Sequence, residues 1–135
     1  MVINLFRGKY WFLSNYSDSP ATQPTLEHHY QAAKTDSPIW KERVMNAKTA
    51  NESKQIAKQF QAKKDWNEIK FGVMEDLLRK KFSDPALRKL LIATGSEELI
   101  EGNWWNDTYW GICNGKGENH LGKLLMKIRG ECNRP

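Results

Sequence analysis

Four polar residues close together in the sequence have side chains that could form a catalytic group. They carry an acid, a phenol, an amide and an amine at spacings i, i+3, i+4 and i+7, which a helix places along one stripe. They are Glu27, Tyr30, Gln31 and Lys34. A lysine whose pKa is lowered by burial attacks carbonyl carbons, and a carboxylate beside it can move protons. The alternative is a solvated helix face with an ordinary ion pair.

The segment 101–119 is the second candidate, because it holds three of the six Trp residues among amides, acids and glycines. Aromatic faces beside hydrogen-bonding groups suit a bound base or sugar better than an apolar interior. Its acids Glu101 and Asp107 are of the kind that glycoside hydrolysis uses in pairs. The alternative is a wet loop whose Trp rings cover a small core and whose acids cap turns.

The charge of the chain indicates an anionic partner. A formal net charge of +5 favours either a phosphorylated small ligand or nucleic acid. Lysines accompany acids through the helical stretches and no arginine-rich block is present, which favours a phosphate site over a nucleic-acid module. Arg7, Lys9 and Lys116 are candidate phosphate contacts, and Lys116 lies between two glycines where backbone amides can also be presented.

Two patterns resemble known sites but lack an essential feature. Residues 117–123 have the glycine and lysine spacing of a P-loop, yet Leu124 stands where Ser or Thr would hold magnesium. The adjacent His28 and His29 diverge by about 100° around a helix and cannot bind one metal as an i, i+4 pair would. We therefore expect neither an NTPase nor a metal site.

The elements that must position these residues are predicted from start signals and apolar spacing. Each predicted helix opens on a capping residue, in two cases followed by proline, and continues with apolar residues at helical spacing. The helices begin at Thr25, Ser37, Thr49, Asp65, Asp84 and Asn119. Apolar residues of the helix from Asp65 are Ile69, Val73, Leu77 and Leu78. Short strands are expected within 1–16 and at 99–100 and 109–113.

Together these elements predict an α+β fold, a mostly helical single domain over residues 1–135 with a small β-sheet. Charges at Arg7 and Lys9 interrupt the stretch where a signal peptide would stay apolar, and no later apolar run approaches the ~20 residues of a spanning helix. We expect a cytoplasmic protein without membrane contact. Cys113 and Cys132 are too few for a disulfide framework, so we expect free thiols.

The order of short motifs along nearly the whole chain resembles the NADAR, or YbiA-like, family. The most specific motif is Glu-His-x-Tyr-Gln-Ala-x-Lys at 27–34, followed by Trp-Gly at 110–111 and Gly-x-Asn-x-Leu-Gly at 117–122. Further matching motifs are Leu13-Ser14-Asn15-Tyr16, Pro24-Thr25, Asp65-Trp66, Lys81-Phe82, Ala93-Thr94-Gly95 and Leu99-x-Glu101-Gly102-Asn103. The resemblance implies a YbiA-like fold.

The resemblance also implies an N-glycosidase that acts without a cofactor on ribose-linked, phosphate-bearing compounds. Family activities include hydrolysis of early riboflavin-pathway intermediates and removal of ADP-ribose from guanine bases. Lys34 would form a Schiff base with ribose C1, Glu27 would be the acid or base beside it, and Asp107 a polar anchor or second carboxylate. Implied stacking residues are Trp66, Trp105 and Trp110, with Asn15 and Asn119 as sugar partners. Other implied substrate contacts are Arg7, Tyr30, Gln31, Glu101, Asn103, Gly111 and Lys116.

The expected partner is a phosphorylated ribosyl or ADP-ribosyl small molecule, and ADP-ribosylated nucleic acid stays open. A second mechanism uses Glu27 and Asp107 to activate water directly, with Lys34 only countering phosphate charge. A different class of function is a non-catalytic ADP-ribose-binding module. The stretch between Tyr16 and Pro24 is shorter than in the usual family pattern, and a missing hairpin there would open one side of the cleft.

Overall fold

The computed structural model describes residues 1–132 and groups the chain into two compact units. The central unit is one continuous segment, Asn15–Lys81, and the terminal unit combines Met1–Ser14 with the chain from Phe82 onward. The predicted domain 1–135 also includes residues 133–135, which lie outside the described residues. Glu27 and Lys34 belong to the central unit, and Asp107 belongs to the terminal unit.

The central unit consists of four α-helices that begin where the capping signals predicted. The helices are α1 (Leu26–Ala32), α2 (Pro38–Met45), α3 (Ala50–Ala57) and α4 (Trp66–Lys81). The side chains of Thr25, Ser37 and Thr49 each accept a hydrogen bond from the backbone N–H three residues later, which satisfies one of the free donors of the first turn. The predicted starts of α1, α2 and α3 are therefore confirmed.

Helix α1 is the centre of this unit, because α2, α3 and α4 all pack against it. Its own side chains are almost all buried, although most of them are polar. On α4, the buried face differs from the predicted one: Ile69, Val73 and Leu77 are only half-buried. The residues of α4 that are buried are Trp66, Met74, Leu78 and Lys81. The interior of the central unit is therefore more polar than the apolar pattern indicated.

In its described residues, the terminal unit contains two α-helices and two small parallel sheets. Its elements are β1 (Val2–Ile3), α5 (Pro85–Ala93), β2 (Glu98–Leu99), β3 (Gly102–Asn103), β4 (Ile112–Cys113) and α6 (His120–Cys132). Strand β1 pairs with β2, and β3 pairs with β4. Buried leucines of α5, β2 and α6 form its core. The α+β, mostly helical prediction is confirmed, although two strand pairs replace the single small sheet.

Two parts of the terminal unit differ from the predicted elements. Gly8–Leu13 forms a 3₁₀ helix where an aromatic strand was expected. Gly8 has a φ of +60°, which turns the chain after β1 and prevents an extended continuation. The expected strand at 109–113 is reduced to Ile112–Cys113. Within residues 1–132, no helix is both long and apolar enough to cross a membrane.

Candidate active site

Helix α1 begins against the segment that carries Asn15. The carbonyl oxygen of Asn15 accepts a hydrogen bond from Glu27 N at 3.1 Å, and Asp18 pairs with Thr25 in an isolated antiparallel bridge. The helix ends at Ala32, so Lys34 lies just beyond it, and its backbone N–H donates to the Gln31 carbonyl at 3.2 Å. The predicted stripe therefore starts in the first turn and finishes in the turn that follows the helix.

Glu27 and Gln31 form a buried pair at the middle of this stripe. Gln31 Nε2 donates to Glu27 Oε2 at 2.5 Å, as the i, i+4 spacing allows. The exposed fractions are only 7% for Glu27 and 2% for Gln31. Because the carboxylate can only accept from the amide nitrogen, the Gln31 carbonyl oxygen must point elsewhere. The Glu27 carboxylate is thus shielded from solvent, and its part in proton transfer stays a prediction.

Two buried side-chain amide oxygens of the central unit have no hydrogen-bond partner. They are Gln31 Oε1 and Asn15 Oδ1. Asn15 Nδ2 is occupied, because it lies 3.6 Å from Met74 Sδ. An unsatisfied buried acceptor costs about 1–3 kcal/mol, and such atoms are usually found where a ligand or water completes the bonding. Both side-chain oxygens therefore have acceptor capacity that the described residues leave unused.

Lys34 lies beside two aromatic rings. Its Nζ is 5.6 Å from the ring centre of Tyr30 and 5.9 Å from that of Trp66. These rings are largely buried and meet edge to face, with centroids 5.2 Å apart. The structure thus brings the predicted residues Tyr30 and Trp66 together beside the amine of Lys34.

The surroundings of Lys34 lower its pKa below the ordinary value for lysine. Burial is the largest cause, and the positive charges of Lys54, Lys70 and Lys58 act in the same direction. The negative charge of Glu27 acts in the opposite direction and raises this pKa. A larger neutral fraction makes the amine a better nucleophile. The sequence analysis missed the three neighbouring lysines, although the i, i+4 spacing of Lys54 and Lys58 could have indicated one basic face.

Lys81 is a second lysine with a lowered pKa, and the sequence analysis did not select it as a site residue. Its side chain is completely buried, and burial lowers its pKa to about 7. Its Nζ donates to Ser17 Oγ at 3.1 Å. The position follows Leu78 by three residues and Met74 by seven, so helical spacing from these apolar residues is the signal that could have found it. Of these two described lysines, Lys34 is the one that keeps part of its side chain exposed.

In the terminal unit, Glu101, Asn103 and Asp107 form a network that shapes the Trp-rich loop. Asn103 Nδ2 donates to Glu101 Oε2 at 3.0 Å and to the Asp107 carbonyl at 2.9 Å. Asp107 Oδ1 accepts from the backbone N–H groups of Tyr109 and Trp110 at 3.2 and 2.9 Å. This is the turn-capping alternative that the sequence analysis left open. A catalytic part for Asp107 stays a prediction.

Gly111 and Asn119 have structural roles that the sequence analysis did not foresee. A Cβ at Gly111 would clash with the side chain and carbonyl oxygen of Glu101, so glycine allows this close approach. Asn119 does not cap α6 with its side chain: Oδ1 accepts from Glu101 N at 3.0 Å, and Nδ2 donates to the Leu99 carbonyl at 2.9 Å. Both ends of this buried amide therefore bind backbone. A sugar contact of Asn119 stays a prediction.

The remaining predicted residues of the terminal unit are more open. Trp105 has an exposed fraction of 45%, and Trp104 beside it one of 68%. The Arg7 guanidinium lies 4.9 Å above the Trp104 ring, which the sequence analysis had not selected. Trp110 is half-buried against Tyr109, and Lys116 is exposed in a tight turn closed by Cys113. Their substrate contacts stay predictions.

The histidines of α1 serve the fold. His28 is buried, with Nδ1 2.8 Å from Thr25 Oγ1 and Nε2 2.9 Å from the Ala47 carbonyl. His29 Nε2 lies 2.6 Å from the Gln23 carbonyl. Across residues 1–132, no group of three or more His, Cys, Asp or Glu side chains is arranged to hold a metal ion.

Comparison with known proteins gives a match over almost the whole chain. The family model described as NADAR domain matches residues 6–133. N-glycosidase YbiA of Escherichia coli (strain K12) is 36% identical over 139 residues, which cover 95% of this chain and 86% of that protein. The riboflavin biosynthesis protein VVA0006 of Vibrio vulnificus (strain YJ016) is 35% identical over 129 residues. That match covers 89% of this chain, and the chain spans 35% of the Vibrio protein.

A solved structure has the same fold. The NMR structure of the E. coli protein YbiA superposes with a TM-score of 0.82 at 32% sequence identity. The match covers 97% of this chain and 86% of that chain. The predicted YbiA-like fold and the family resemblance are both confirmed.

Proposed function

The chain belongs to the NADAR domain family, and from this premise we propose that it is an N-glycosidase for phosphorylated ribosyl compounds. Its relatives named N-glycosidase YbiA support the reaction class. The observation that carries the proposal for this chain is the partly buried Lys34 amine, held beside Tyr30 and Trp66 within the electrostatic reach of Glu27. An amine, a proton donor and stacking faces are the parts that such a reaction needs.

In the proposed first step, the lone pair of the neutral Lys34 Nζ attacks the ribose C1, and the bond from C1 to the base nitrogen breaks. The base leaves with the electron pair of that bond and receives a proton from protonated Glu27. Nζ of the adduct then gives a proton to the Glu27 carboxylate. The bond from C1 to the ring oxygen breaks to form a protonated imine, as Glu27 passes that proton to the ring oxygen. Water adds to the imine carbon, releases the ribosyl phosphate and restores the amine.

The electrostatics of the central unit suit this sequence of steps. The lowered pKa of Lys34 increases the fraction of amine that is ready to attack at neutral pH. Lys54, Lys58 and Lys70 add positive charge around it, which favours a phosphate-bearing substrate over a neutral nucleoside. The hydrogen bond from Gln31 fixes the orientation of the buried Glu27 carboxylate.

The unpaired side-chain amide oxygens of Asn15 and Gln31 support the proposal that the substrate contains a sugar with free hydroxyl groups. Each oxygen can accept one hydroxyl hydrogen, and a site built on such bonds discriminates strongly against an analogue that lacks the hydroxyl. Ribose carries two adjacent hydroxyl groups beside C1 and therefore fits this requirement. We propose Asn15 and Gln31 as the sugar-binding pair of the central unit.

Two substrate classes follow from the family. One is a ribosylamine phosphate of the riboflavin pathway, which the name of the Vibrio relative favours. The other is an ADP-ribosylated guanine base, free or in a strand. A panel of both, with NAD and free ADP-ribose, is incubated with the protein and the products are identified by mass spectrometry. Cleavage names the substrate, whereas tight binding with every ligand recovered intact would instead support a non-catalytic binding module.

Substitutions of Lys34 separate the covalent mechanism from direct activation of water. Lys34→Ala and Lys34→Arg should both lose turnover, because neither side chain forms an imine. Borohydride added during turnover should leave a reduced adduct on Lys34 of the wild type. Lys64→Ala, which removes an exposed lysine, is the matched control and should keep normal activity. If Lys34→Arg kept kcat within about threefold and no adduct formed, Lys34 would act only as a positive charge.

A further inference from the structure

Lys81 occupies a position where the core would accept an apolar side chain. It is the last residue of α4, none of its side chain is exposed, and Leu78 of the same face is also fully buried. Taking a charged amine out of water is unfavourable even when the amine is hydrogen-bonded. Burial accordingly lowers the pKa of Lys81. A leucine or methionine would avoid this cost, so the amine indicates a specific use.

The hydrogen bond of Lys81 leads to the segment that supports the candidate active site. Its partner Ser17 has an exposed fraction of only 3% and lies in the stretch 15–18. This stretch is bonded to the start of α1, where the Asn15 carbonyl receives Glu27 N–H. A displacement of Ser17 would therefore move both the Asn15 side chain and the backbone of Glu27.

We propose that Lys81 is a positioning residue, which holds the stretch 15–18 against the first turn of α1 through Ser17 and thereby places Glu27 and Asn15 for the substrate. Lys81 itself stays in the interior and makes no contact with the reacting atoms. The structural part of this inference rests on the hydrogen bonds alone, and its catalytic part rests on the proposed function.

Amide hydrogen exchange tests the structural part without any substrate. We expect Lys81→Met to lower the protection of the Glu27 amide by about tenfold relative to the Ser53 amide, which bonds to Thr49 in α3. Ser17→Ala, which removes the other partner of the bond, should have the same effect and serves if Lys81→Met does not fold. Equal protection ratios in wild type and a folded variant would overturn the inference.

Kinetics of the same variants test the catalytic part. With a substrate from the panel, Lys81→Met should lower kcat by about tenfold and change KM by less than about twofold, because orientation of Glu27 matters in the transition state. The double variant should be no slower than the slower single variant, since both remove one interaction. Normal kcat in the folded variants would overturn this part. A wild type that cleaves nothing would overturn the proposed function, while the exchange experiment still decides the role of Lys81.

Discussion

Replacing Lys81 by methionine should remove a pH dependence of stability that the wild-type protein shows above neutrality. Burial lowers the folded-state pKa of Lys81 to about 7, whereas the unfolded chain has the ordinary value of 10.5. Between these two pKa values the unfolded state binds more protons than the folded state. The free energy of unfolding therefore rises with pH in this window, and below pH 7 both states are protonated and the dependence disappears.

The size of the effect follows from the same two pKa values. Once the folded-state amine is neutral, the slope is about 1.4 kcal/mol per pH unit, and it is about half of that near pH 7. Between pH 7 and pH 9, the wild type should therefore gain about 2 kcal/mol of stability relative to Lys81→Met. Other titrating groups are common to both proteins and cancel in the difference.

Urea unfolding followed by Trp fluorescence at pH 6, 7, 8 and 9 measures this difference directly. Lys80→Met is the matched control, because it removes the same charge from the neighbouring exposed position and should keep the wild-type pH dependence. We expect the difference in unfolding free energy between wild type and Lys81→Met to change with pH. If this difference stayed constant within about 0.5 kcal/mol from pH 7 to pH 9, a buried neutral amine at Lys81 would be refuted.

Two further predictions concern charge near the amine and close packing in the terminal unit. Lys58→Met should raise the pKa of Lys34, because a positive neighbour is lost, and so move the acidic limb of the kcat/KM profile to higher pH; an unmoved limb would contradict this. Gly111→Ala should cost more than about 2 kcal/mol in urea unfolding, since its Cβ meets the Glu101 backbone. Gly72→Ala, with open space around the new methyl group, should stabilise α4 by about 0.5–1 kcal/mol, and equal effects at the two sites would count against the packing argument.

The features that the sequence predicted well are local ones. Helix starts at Thr25 and Thr49 depend on a hydrogen bond between residues three apart, so their signals lie within one turn of chain. The contact of Glu27 with Gln31 likewise follows from helical spacing. The prediction of Lys34 as the reactive amine needed the family resemblance, because the residue pattern alone favoured a solvated helix face.

The features that were missed depend on partners far away in the sequence. Lys81 appears as one of several lysines at the end of a helix, and its hydrogen-bond partner Ser17 lies 64 residues earlier in the chain. Asn119 has the sequence context of a helix cap, yet its amide bridges the backbone of Leu99 and Glu101. Such roles are set by tertiary contacts, and local propensity contains no information about them.

The pairing of β1 with β2 has a consequence for the order of folding. It joins Ile3 to Leu99, so the entire central unit lies within the loop that this pairing closes. During synthesis, β1 cannot pair until residue 99 has been made, whereas all four helices of the central unit have been made by residue 81. The entropy of closing so long a loop changes slowly with its length, by about 0.6 kcal/mol per doubling. Residues gained or lost inside it, as between Tyr16 and Pro24, therefore hardly alter the closure of the terminal unit.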